Sequence, residues 1–424
     1  MDDNPLRTIT LLLIAVNVGL ALWIIFRRDA RWAMALWAAA LFFTPVYVTF
    51  SVQSIALTVL DAVTILALAS GVKAEGLRWS IVDTLMVAAF MALFAGLLFG
   101  AVSGHVTYTV LSWLLPYAWG RVVIVRAGFD WVADCVSAAA VVAAALAIVE
   151  FATGSNIFVN LPGVQGAMWT NLQYRGGLLR AEGAFGHSIS LGSSLAISTA
   201  FLLAVRWRIA WKTAALIVVV GGTVVTFSRI GMIGTVLVLV FSVLFLGRVI
   251  RRSQRIVIAL LVGVALMVAL PFITVVFDQA GDEATGSAEY RADLYPLLLK
   301  MVQIGMSPSR EVAADGTDRF AGFRSIDSAL ILTGLRHGAL PLGIFLIMLA
   351  VCAWVVVSGR GNAAAVAVLC QVPALATVAL ITQYAQFVWF AAGVAVASYS
   401  VDPDRGRSGS ATRGKPRREF MEAR

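Results

Sequence analysis

Residues 278–327 read DQAGDEATGSAEYRADLYPLLLKMVQIGMSPSREVAADGTDRFAGFRSID and form the one long polar segment of an otherwise apolar chain. The segment holds nine acidic and five basic residues, and apolar runs lie on both sides of it. Charged side chains are costly in hydrocarbon unless they find a partner or water. The sequence therefore predicts a loop in water at a membrane surface, held there by membrane-spanning helices.

The composition of the chain predicts the same class of protein. Of its 424 residues 60% are hydrophobic and 13% are charged, whereas about a quarter of the residues of a soluble domain are charged. Apolar runs of about 20 residues are long enough to cross ~30 Å of hydrocarbon as helices. We therefore expect an all-α polytopic transmembrane bundle. The predicted spans are 8–26, 32–50, 52–70, 80–100, 105–120, 131–151, 187–205, 213–228, 231–247, 256–277, 328–357, 362–382 and 384–400.

The distribution of charge predicts the orientation. Alternate connections between spans hold fifteen basic residues against three acidic ones, which by the positive-inside rule are cytoplasmic. The two long loops then face the periplasm or exterior of a cytoplasmic (inner) membrane, with thirteen spans and the N-terminus outside. If 32–50 and 52–70 are one hairpin broken around Pro45, or if the first apolar run is not a span, the count falls to twelve.

These assignments divide the chain into regions of helix, loop and tail. The two outer loops are the first extracytoplasmic loop and a larger one, and the tail is basic and expected to be disordered. The regions are the N-terminal helices 1–151, the first loop 152–186, the central helices 187–277, the large loop 278–327, the C-terminal helices 328–400 and the cytoplasmic tail 401–424.

Within the large loop, residues 287–304 predict an amphipathic helix. Apolar residues recur there at helical spacing, and Pro296 either starts the helix at its first turn or kinks it. A helix with no room to span should lie flat on the bilayer or on the bundle. The apolar positions are Leu294, Leu297, Leu298, Met301 and Ile304.

Arginines are unusually frequent on the predicted outer side, where positive charge is normally depleted. Their planar fork suits phosphate, so we expect a bound anion. Arg229, between two apolar runs, is either exposed to water in a short turn or an anion ligand in a cavity. The outer arginines are Arg175, Arg180, Arg229, Arg291, Arg310, Arg319 and Arg324.

Several residues near these arginines could carry a proton. His187 is either a helix cap or a general base, and Glu182 lies in the same short stretch. Asp327 is either a first-turn residue that favours the helix dipole or a base. Arg336 and His337 precede a glycine, so they either line a cavity at a helix break or form a structural pair at a kink.

Glu150 is expected to be solvated at a span end. Other expectations follow from motifs that the sequence lacks. It has no Walker loop, no His-Glu-x-x-His and no Cys-x-x-Cys. We expect no metal, no cofactor and no nucleic-acid partner. An enzyme that acts on a diphosphate substrate has to neutralise the charge of the leaving group with a metal or with arginines. This chain offers arginines.

Several motifs are arranged as in a known family. Residues 179–192 read LRAEGAFGHSISLG, and TFSRIG follows at 226–231 after a span, a basic loop and a span. Later come Arg291, MSP at 306–308, SIDSAL at 325–330 and GALPLGIF at 338–345. This arrangement, over about residues 175–350, resembles the core of the O-antigen ligase/polymerase superfamily of bacterial membrane proteins.

The resemblance implies an activity and a set of ligands. Members transfer a glycan from a polyprenyl-diphosphate carrier to an acceptor glycan or lipid at the outer side of the membrane, without a metal. By motif position, Arg180, Arg229 and Arg291 would bind the diphosphate, with Arg324, Arg336 and His337 as secondary candidates. Ligases for the lipid A core carry a histidine where this chain has Ile326 and Asp327, so the resemblance is polymerase-like.

The resulting hypothesis is an inverting glycosyltransferase of surface-polysaccharide biosynthesis that works among membrane lipids. His187, Glu182 or Asp327 would take the proton of the acceptor hydroxyl. The alternatives are a transporter or flippase for lipid-linked precursors, which should show two related halves and ionisable groups near the midplane, and a structural partner in an envelope assembly, whose arginines should tolerate replacement.

Overall fold

The computed structural model describes residues 5–52, 55–71, 76–159, 172–246, 293–314 and 316–400, with isolated positions between 255 and 290. The described part is dominated by α-helices, and its strands form three two-stranded hairpins. The helices are α1 (Pro5–Arg28), α2 (Ala30–Phe43), α3 (Val59–Ser70), α4 (Ile81–Gly96), α5 (Ser103–Thr109), α6 (Leu115–Ala127), α7 (Phe129–Thr153), α8 (Ser188–Ala204), α9 (Ile209–Val224), α10 (Arg229–Phe245), α11 (Ala329–His337), α12 (Ala339–Val355), α13 (Ala363–Leu369), α14 (Val372–Thr377) and α15 (Thr382–Ser400).

Four helical runs are long and apolar enough to cross a membrane. They are Ile81–Phe99, Ser103–Ala127, Phe129–Thr153 and Ala339–Arg360. The second run joins α5 to α6 through a π-helical turn, and the fourth extends α12 in the same way. The helical class is therefore confirmed, and these four runs have the length and composition of membrane spans. The number of spans stays a prediction.

The predicted spans 32–50 and 52–70 are wrong in their boundaries. Helix α2 ends at Phe43, because Pro45 disfavours a helical Thr44, and Thr44 is extended. Strands β1 (Thr49–Val52) and β2 (Ile55–Thr58) then form a hairpin before α3. At 1.5 Å per residue, neither α2 (14 residues) nor α3 (12 residues) reaches across ~30 Å of hydrocarbon by itself.

The predicted span 328–357 is two helices, α11 and α12, that meet at Gly338. Gly338 has φ 98°, and a Cβ there would lie 2.6 Å from the Gln303 carbonyl oxygen. A residue with a side chain would therefore be strained in its backbone and would also clash. The break leaves α11 with nine residues, roughly 13 Å of helix.

The predicted amphipathic helix at residues 287–304 is wrong for the described part of that range. Here the chain forms a six-residue 3-10 helix, Tyr295–Lys300, and then continues as non-helical backbone. Leu294 and Leu297, three residues apart as one 3-10 turn requires, are buried against Phe320 and Leu335. The expected packing of these leucines is present, but in a shorter and tighter helix. The tail 401–424 and Arg291 lie outside the described residues.

Two more hairpins lie in the connections of the bundle. Strands β3 (Tyr174–Arg175) and β4 (Leu178–Leu179) lie before α8, and strands β5 (Arg310–Val312) and β6 (Asp318–Phe320) lie before α11.

Helix α8 is the centre of the bundle. It is buried along nearly its whole length and contacts α7, α9, α10, α13 and α15. Serine, glycine and alanine alternate with larger apolar residues along it, which allows neighbouring helices to approach closely. The position of α8 therefore fixes where its first residue, next to His187, lies in the molecule.

Contacts between connections define two ends of the bundle. Gln383 donates from Nε2 to the carbonyl oxygens of Thr44 (2.6 Å) and Ala184 (3.4 Å), and Tyr108 donates to Leu380 O (3.2 Å). The ends of α2 and the starts of α5, α8 and α15 therefore lie together, at what we call the loop end. At the opposite end Arg126 donates to the Phe26 carbonyl oxygen at 2.9 Å.

Candidate functional site

The segment before α8 is a small hairpin that turns on two glycines. Gly176 and Gly177 have φ 53° and 75°, as a two-residue hairpin turn requires. The Arg180 backbone N–H then donates to Gln173 O at 2.9 Å and closes the hairpin. The chain passes through a 3-10 turn, Gly183–Phe185, into α8, so the hairpin stands directly beside the start of that helix.

A buried carboxylate at the end of α7 anchors this hairpin. Glu150 is 4% exposed, and its two oxygens accept from the backbone N–H groups of Glu182 (3.0 Å) and Gly183 (2.9 Å). Asn156 Nδ2 donates to the same carboxylate at 3.0 Å. The expectation that Glu150 is solvated is therefore wrong, because the loop folds back over the helix end and replaces water as its hydrogen-bond donor.

Glu182 is a second buried carboxylate in the same loop. It is 2% exposed, and its Oε1 accepts from the Gln173 backbone N–H at 2.9 Å. Burial raises the pKa of Glu182 to about 7; the negative charge of Glu150 adds to the rise, while the Gln173 hydrogen bond and Arg180 oppose it. Glu182 therefore titrates near neutral pH and holds the loop rather than facing solvent.

The turn between α9 and α10 brings the arginines together. Ala181 N–H donates to Val225 O at 3.0 Å, and Arg180 Nε donates to Thr226 O at 3.2 Å. Arg175 Nη1 donates to Phe227 O at 3.1 Å. These three bonds fasten the hairpin along residues 225–227, directly before Arg229, so that two loop arginines lie beside the start of α10.

Helices α8 and α10 are parallel and begin side by side. Both start at the loop end, because α9 returns the chain between them. A Cβ on Gly231 would lie 2.8 Å from the Gly192 carbonyl carbon, so the two backbones touch within their first two turns. Helix N-termini carry partial positive charge and free N–H groups, and two of them placed together favour an anion.

Arg229 is the first residue of α10 and is exposed. Ser228 caps this helix by accepting from Gly231 N–H at 3.1 Å. A cation at a helix N-terminus is opposed by the helix dipole, by about 0.3–1 kcal/mol. A bound anion reverses that penalty, because it is attracted by both the helix end and the guanidinium. Arg229 is exposed, as the first interpretation of it expects, and its role as an anion ligand stays a prediction.

His187 is the N-cap of α8. Its Nδ1 accepts from the Ile189 backbone N–H at 3.2 Å, so the neutral ring carries its proton on Nε2. Burial lowers the pKa of His187 to about 4; the positive charge of Arg180 lowers it further, and the charge of Asp327 opposes this. At neutral pH His187 is therefore uncharged and offers a donor from Nε2.

Asp327 lies just before α11 and is half-buried. Ser325 donates to its Oδ1 at 2.9 Å, and Ser328 caps the helix. Its charge acts on His187, which places the two candidates in one neighbourhood. Arg324 is exposed.

The remaining candidates do not share this site in the described part of the chain. Arg336 and His337 lie at the far end of α11, roughly 13 Å along the helix from Asp327. Arg291 lies outside the described residues. The structure thus groups Arg180, Glu182 and His187 around the starts of α8 and α10, with Asp327 within electrostatic range.

Sequence reasoning missed the residues that hold the site together. Glu150, Asn156 and Gln173 form the hydrogen bonds that fix the loop, and Arg175 was assigned no role at the site. Little in the sequence indicated that Glu150 is buried, because an acidic residue at the end of a span is ordinarily solvated. The spacing of 32 residues between Glu150 and Glu182 carries no local pattern that reveals their contact.

Comparison with models of known protein families finds no match for this chain, and comparison with curated proteins finds none either.

Proposed function

We propose that the chain is a membrane glycosyltransferase of the polymerase or ligase type. It transfers an oligosaccharide from a polyprenyl-diphosphate carrier to an acceptor glycan or lipid in the biosynthesis of surface polysaccharide, and its site faces the periplasm or exterior. The class rests on the resemblance of residues 179–192, 226–231 and 325–345 to the O-antigen ligase/polymerase superfamily. The site geometry agrees with the chemistry that this class requires.

One observation carries the proposal: groups of positive charge are concentrated where α8 and α10 begin. Two parallel helix N-termini meet there, Arg180 is fixed beside them through Thr226, and Arg229 starts α10. A diphosphate leaving group needs positive charge that is in place before the reaction. Helix ends and guanidinium groups supply it without a metal.

The proposed reaction is a single displacement. The acceptor hydroxyl oxygen attacks the anomeric carbon, the bond from that carbon to the diphosphate oxygen breaks, and the electron pair leaves with the diphosphate. Arg180, Arg229 and Arg291 neutralise the leaving group. The proton of the acceptor hydroxyl passes to a carboxylate of the protein, which completes the charge balance.

Among the three candidate bases, Asp327 fits this role best. Glu182 is 2% exposed and engaged by Gln173, and His187 already uses its Nδ1 lone pair to cap α8. Asp327 is half-buried at the edge of the same site. We therefore assign Asp327 as the base, His187 as a neutral donor through Nε2, and Glu182 as a positioning residue.

The test is transfer by the purified chain in lipid vesicles, supplied with a polyprenyl-diphosphate oligosaccharide. Arg229→Ala and Arg180→Lys should each lower transfer about 10²–10³-fold, the usual effect of losing one preorganised donor. Arg206→Lys is the matched control, because the Arg206 side chain is 82% exposed and pairs with Asp130 at the opposite end of the bundle. Its transfer rate should be unchanged.

Two results would overturn the proposal. Movement of the intact lipid-linked donor across the vesicle, without a new glycosidic bond, would identify a flippase. Full polymer production in cells that carry Arg229→Ala and Arg180→Lys together, at normal protein level, would identify a structural partner whose arginines are dispensable.

A further inference from the structure

A second polar cluster lies at the loop end, away from the starts of α8 and α10. It joins the first turns of α5, the β5–β6 hairpin and the last turn of α11. We call it the α5–α11 cluster. Its members are His105, Tyr108, Thr109, Arg310, Asp318, Arg336 and His337.

The acidic member of the cluster already has its partners. Asp318 accepts from Arg310 Nε at 2.8 Å and forms a short hydrogen bond with His105 Nε2. Partial burial opposes ionisation, but the bonds from His105 and Arg310 outweigh it and lower the pKa of Asp318. The negative charge of Asp318 is therefore balanced by Arg310.

Arg336 then adds a positive charge that the described residues do not neutralise. It is half-buried and within electrostatic range of Tyr108 and Asp318, yet it forms no ion pair with a described residue. Its Nε–H is buried and has no hydrogen-bond partner in the described part of the chain. A guanidinium in such a place is costly unless an anion joins it.

The adjacent His337 offers an acceptor. It is 3% exposed, and its Nε2 lies 3.1 Å from Thr109 Oγ1. The single hydroxyl proton of Thr109 is donated to His105 O at 2.8 Å, so Thr109 accepts from the Nε2–H of His337. The Nδ1 atom of neutral His337 therefore keeps a lone pair, and it has no partner among the described residues.

The two neighbouring side chains thus form a complementary pair. Arg336 supplies a charged donor, and His337 supplies a neutral acceptor one residue away. An oxyanion without a hydroxyl would satisfy only the first, and a neutral hydroxyl only the second. A ligand that bears both groups close together, such as an acidic sugar or a sugar with a phosphate substituent, satisfies both.

We propose that the α5–α11 cluster is a second binding site, which holds an acidic, hydroxyl-bearing sugar residue of the glycan through Arg336 and His337. That the ligand is a glycan rests on the proposed function. The cluster lies about one short helix from Asp327, so it would hold a sugar remote from the bond being made. Binding energy from such a remote group favours correct placement of the reacting atoms.

The chain is well suited to a direct test, since it has three histidines. The full-length protein, labelled with ¹⁵N-histidine in detergent micelles, gives nitrogen resonances for His105, His187 and His337 alone. His337→Gln identifies its own pair of signals. The probes are glucuronate, inorganic phosphate and, as the neutral control, glucose.

We expect glucuronate or phosphate to shift the His337 Nδ1 signal saturably, and glucose to leave it in place. Arg336→Gln, which removes the charge but keeps a polar side chain, should weaken that binding at least tenfold. Arg206→Gln, at the opposite end, should not. Unmoved His187 signals in the free Arg336→Gln protein show that the variant folds.

The two charged probes separate the sources of the oxyanion. If glucuronate shifts the His337 signal, the ligand is a sugar that carries a carboxylate. If phosphate alone shifts it, the ligand is a sugar that carries a phosphate substituent. The inference is overturned if neither probe moves the His337 signals, or if both bind Arg336→Gln as tightly as the parent. A His337 response in a protein without transfer activity would reject the proposed function and leave this site standing.

Discussion

At the scale of single residues, burial decides what the carboxylates can do. Glu150 and Glu182 are two acids whose side chains the loop and α7 remove from water. Two backbone N–H groups and Asn156 donate hydrogen bonds to the Glu150 carboxylate and offset the cost of burying its charge. Glu182 accepts from the Gln173 N–H and lies near the charge of Glu150. A carboxylate that is buried with fewer donors is the one that holds its proton longer.

The raised pKa of Glu182 predicts a pH dependence of stability. Its ordinary value is 4.5 and its folded value about 7, so the folded state binds the proton more tightly than the unfolded state. The contribution of Glu182 to stability is therefore greatest below pH 4.5 and falls as pH rises to about 7, by up to about 1.4 kcal/mol per pH unit. Over this pH range, the free energy of unfolding of Glu182→Gln should rise progressively relative to that of the parent.

The measurement is the free energy of unfolding in detergent at pH 5 and 7.5 for the parent, Glu182→Gln and the exposed-site control Glu311→Gln. His187, whose pKa is lowered, changes stability in the opposite sense below pH 6.5, so the comparison has to be made between variants. A constant difference between Glu182→Gln and parent at both pH values would contradict the prediction.

At the scale of elements, the approach of α8 and α10 shapes the proposed anion site. Gly192 lies in the second turn of α8 and Gly231 in the first turn of α10, and their backbones are in contact. Glycine at both positions lets the helix ends lie side by side, where their partial positive charges act on one ligand. The same two helices would diverge around a larger residue.

Gly231→Ala should separate these helix ends. Its Cβ would lie 2.8 Å from the Gly192 carbonyl carbon, so overpacking should destabilise the protein by about 1–3 kcal/mol and also lower transfer. Gly343→Ala in α12 is the matched control, since no atom lies within 4 Å of its Cβ. Thermal unfolding and the vesicle assay report the two effects; equal behaviour of the two variants would reject close packing at this site.

At the scale of the whole molecule, the contacts place the loop and the basic connections at opposite ends. The hairpin at residues 174–179 lies with Thr44 and Gln383 at the loop end, whereas Arg126 contacts Phe26 at the other. By the positive-inside rule we expect the second end to be cytoplasmic and the proposed transfer site to face the exterior.

Cysteine labelling in intact cells tests this orientation. In a chain whose three native cysteines are replaced by alanine, Tyr174→Cys should react with an impermeant maleimide from outside, because Tyr174 is 59% exposed. Arg206→Cys should react only after permeabilisation. Labelling of both positions from the same side would remove the topology on which the proposed function depends.

Much of the architecture could be predicted from the sequence, and the exceptions have local causes. Apolar length predicted the helices α4 and α7, since hydrocarbon thickness and backbone hydrogen bonding leave little choice. It failed at Pro45 and Gly338. There, restriction of the backbone and close contact with another segment ended helices that hydrophobicity alone would extend.

The sequence by itself determined an apolar helical protein and the kinds of charged residue it carries, because hydropathy and composition are properties of short windows of chain. Only the tertiary structure decided which of those residues meet. The Glu150 carboxylate accepts from the backbone N–H groups of Glu182 and Gly183, and His337 contacts Thr109, 228 positions away in the sequence. Such contacts depend on how helices pack, and packing brings together residues that no local pattern relates.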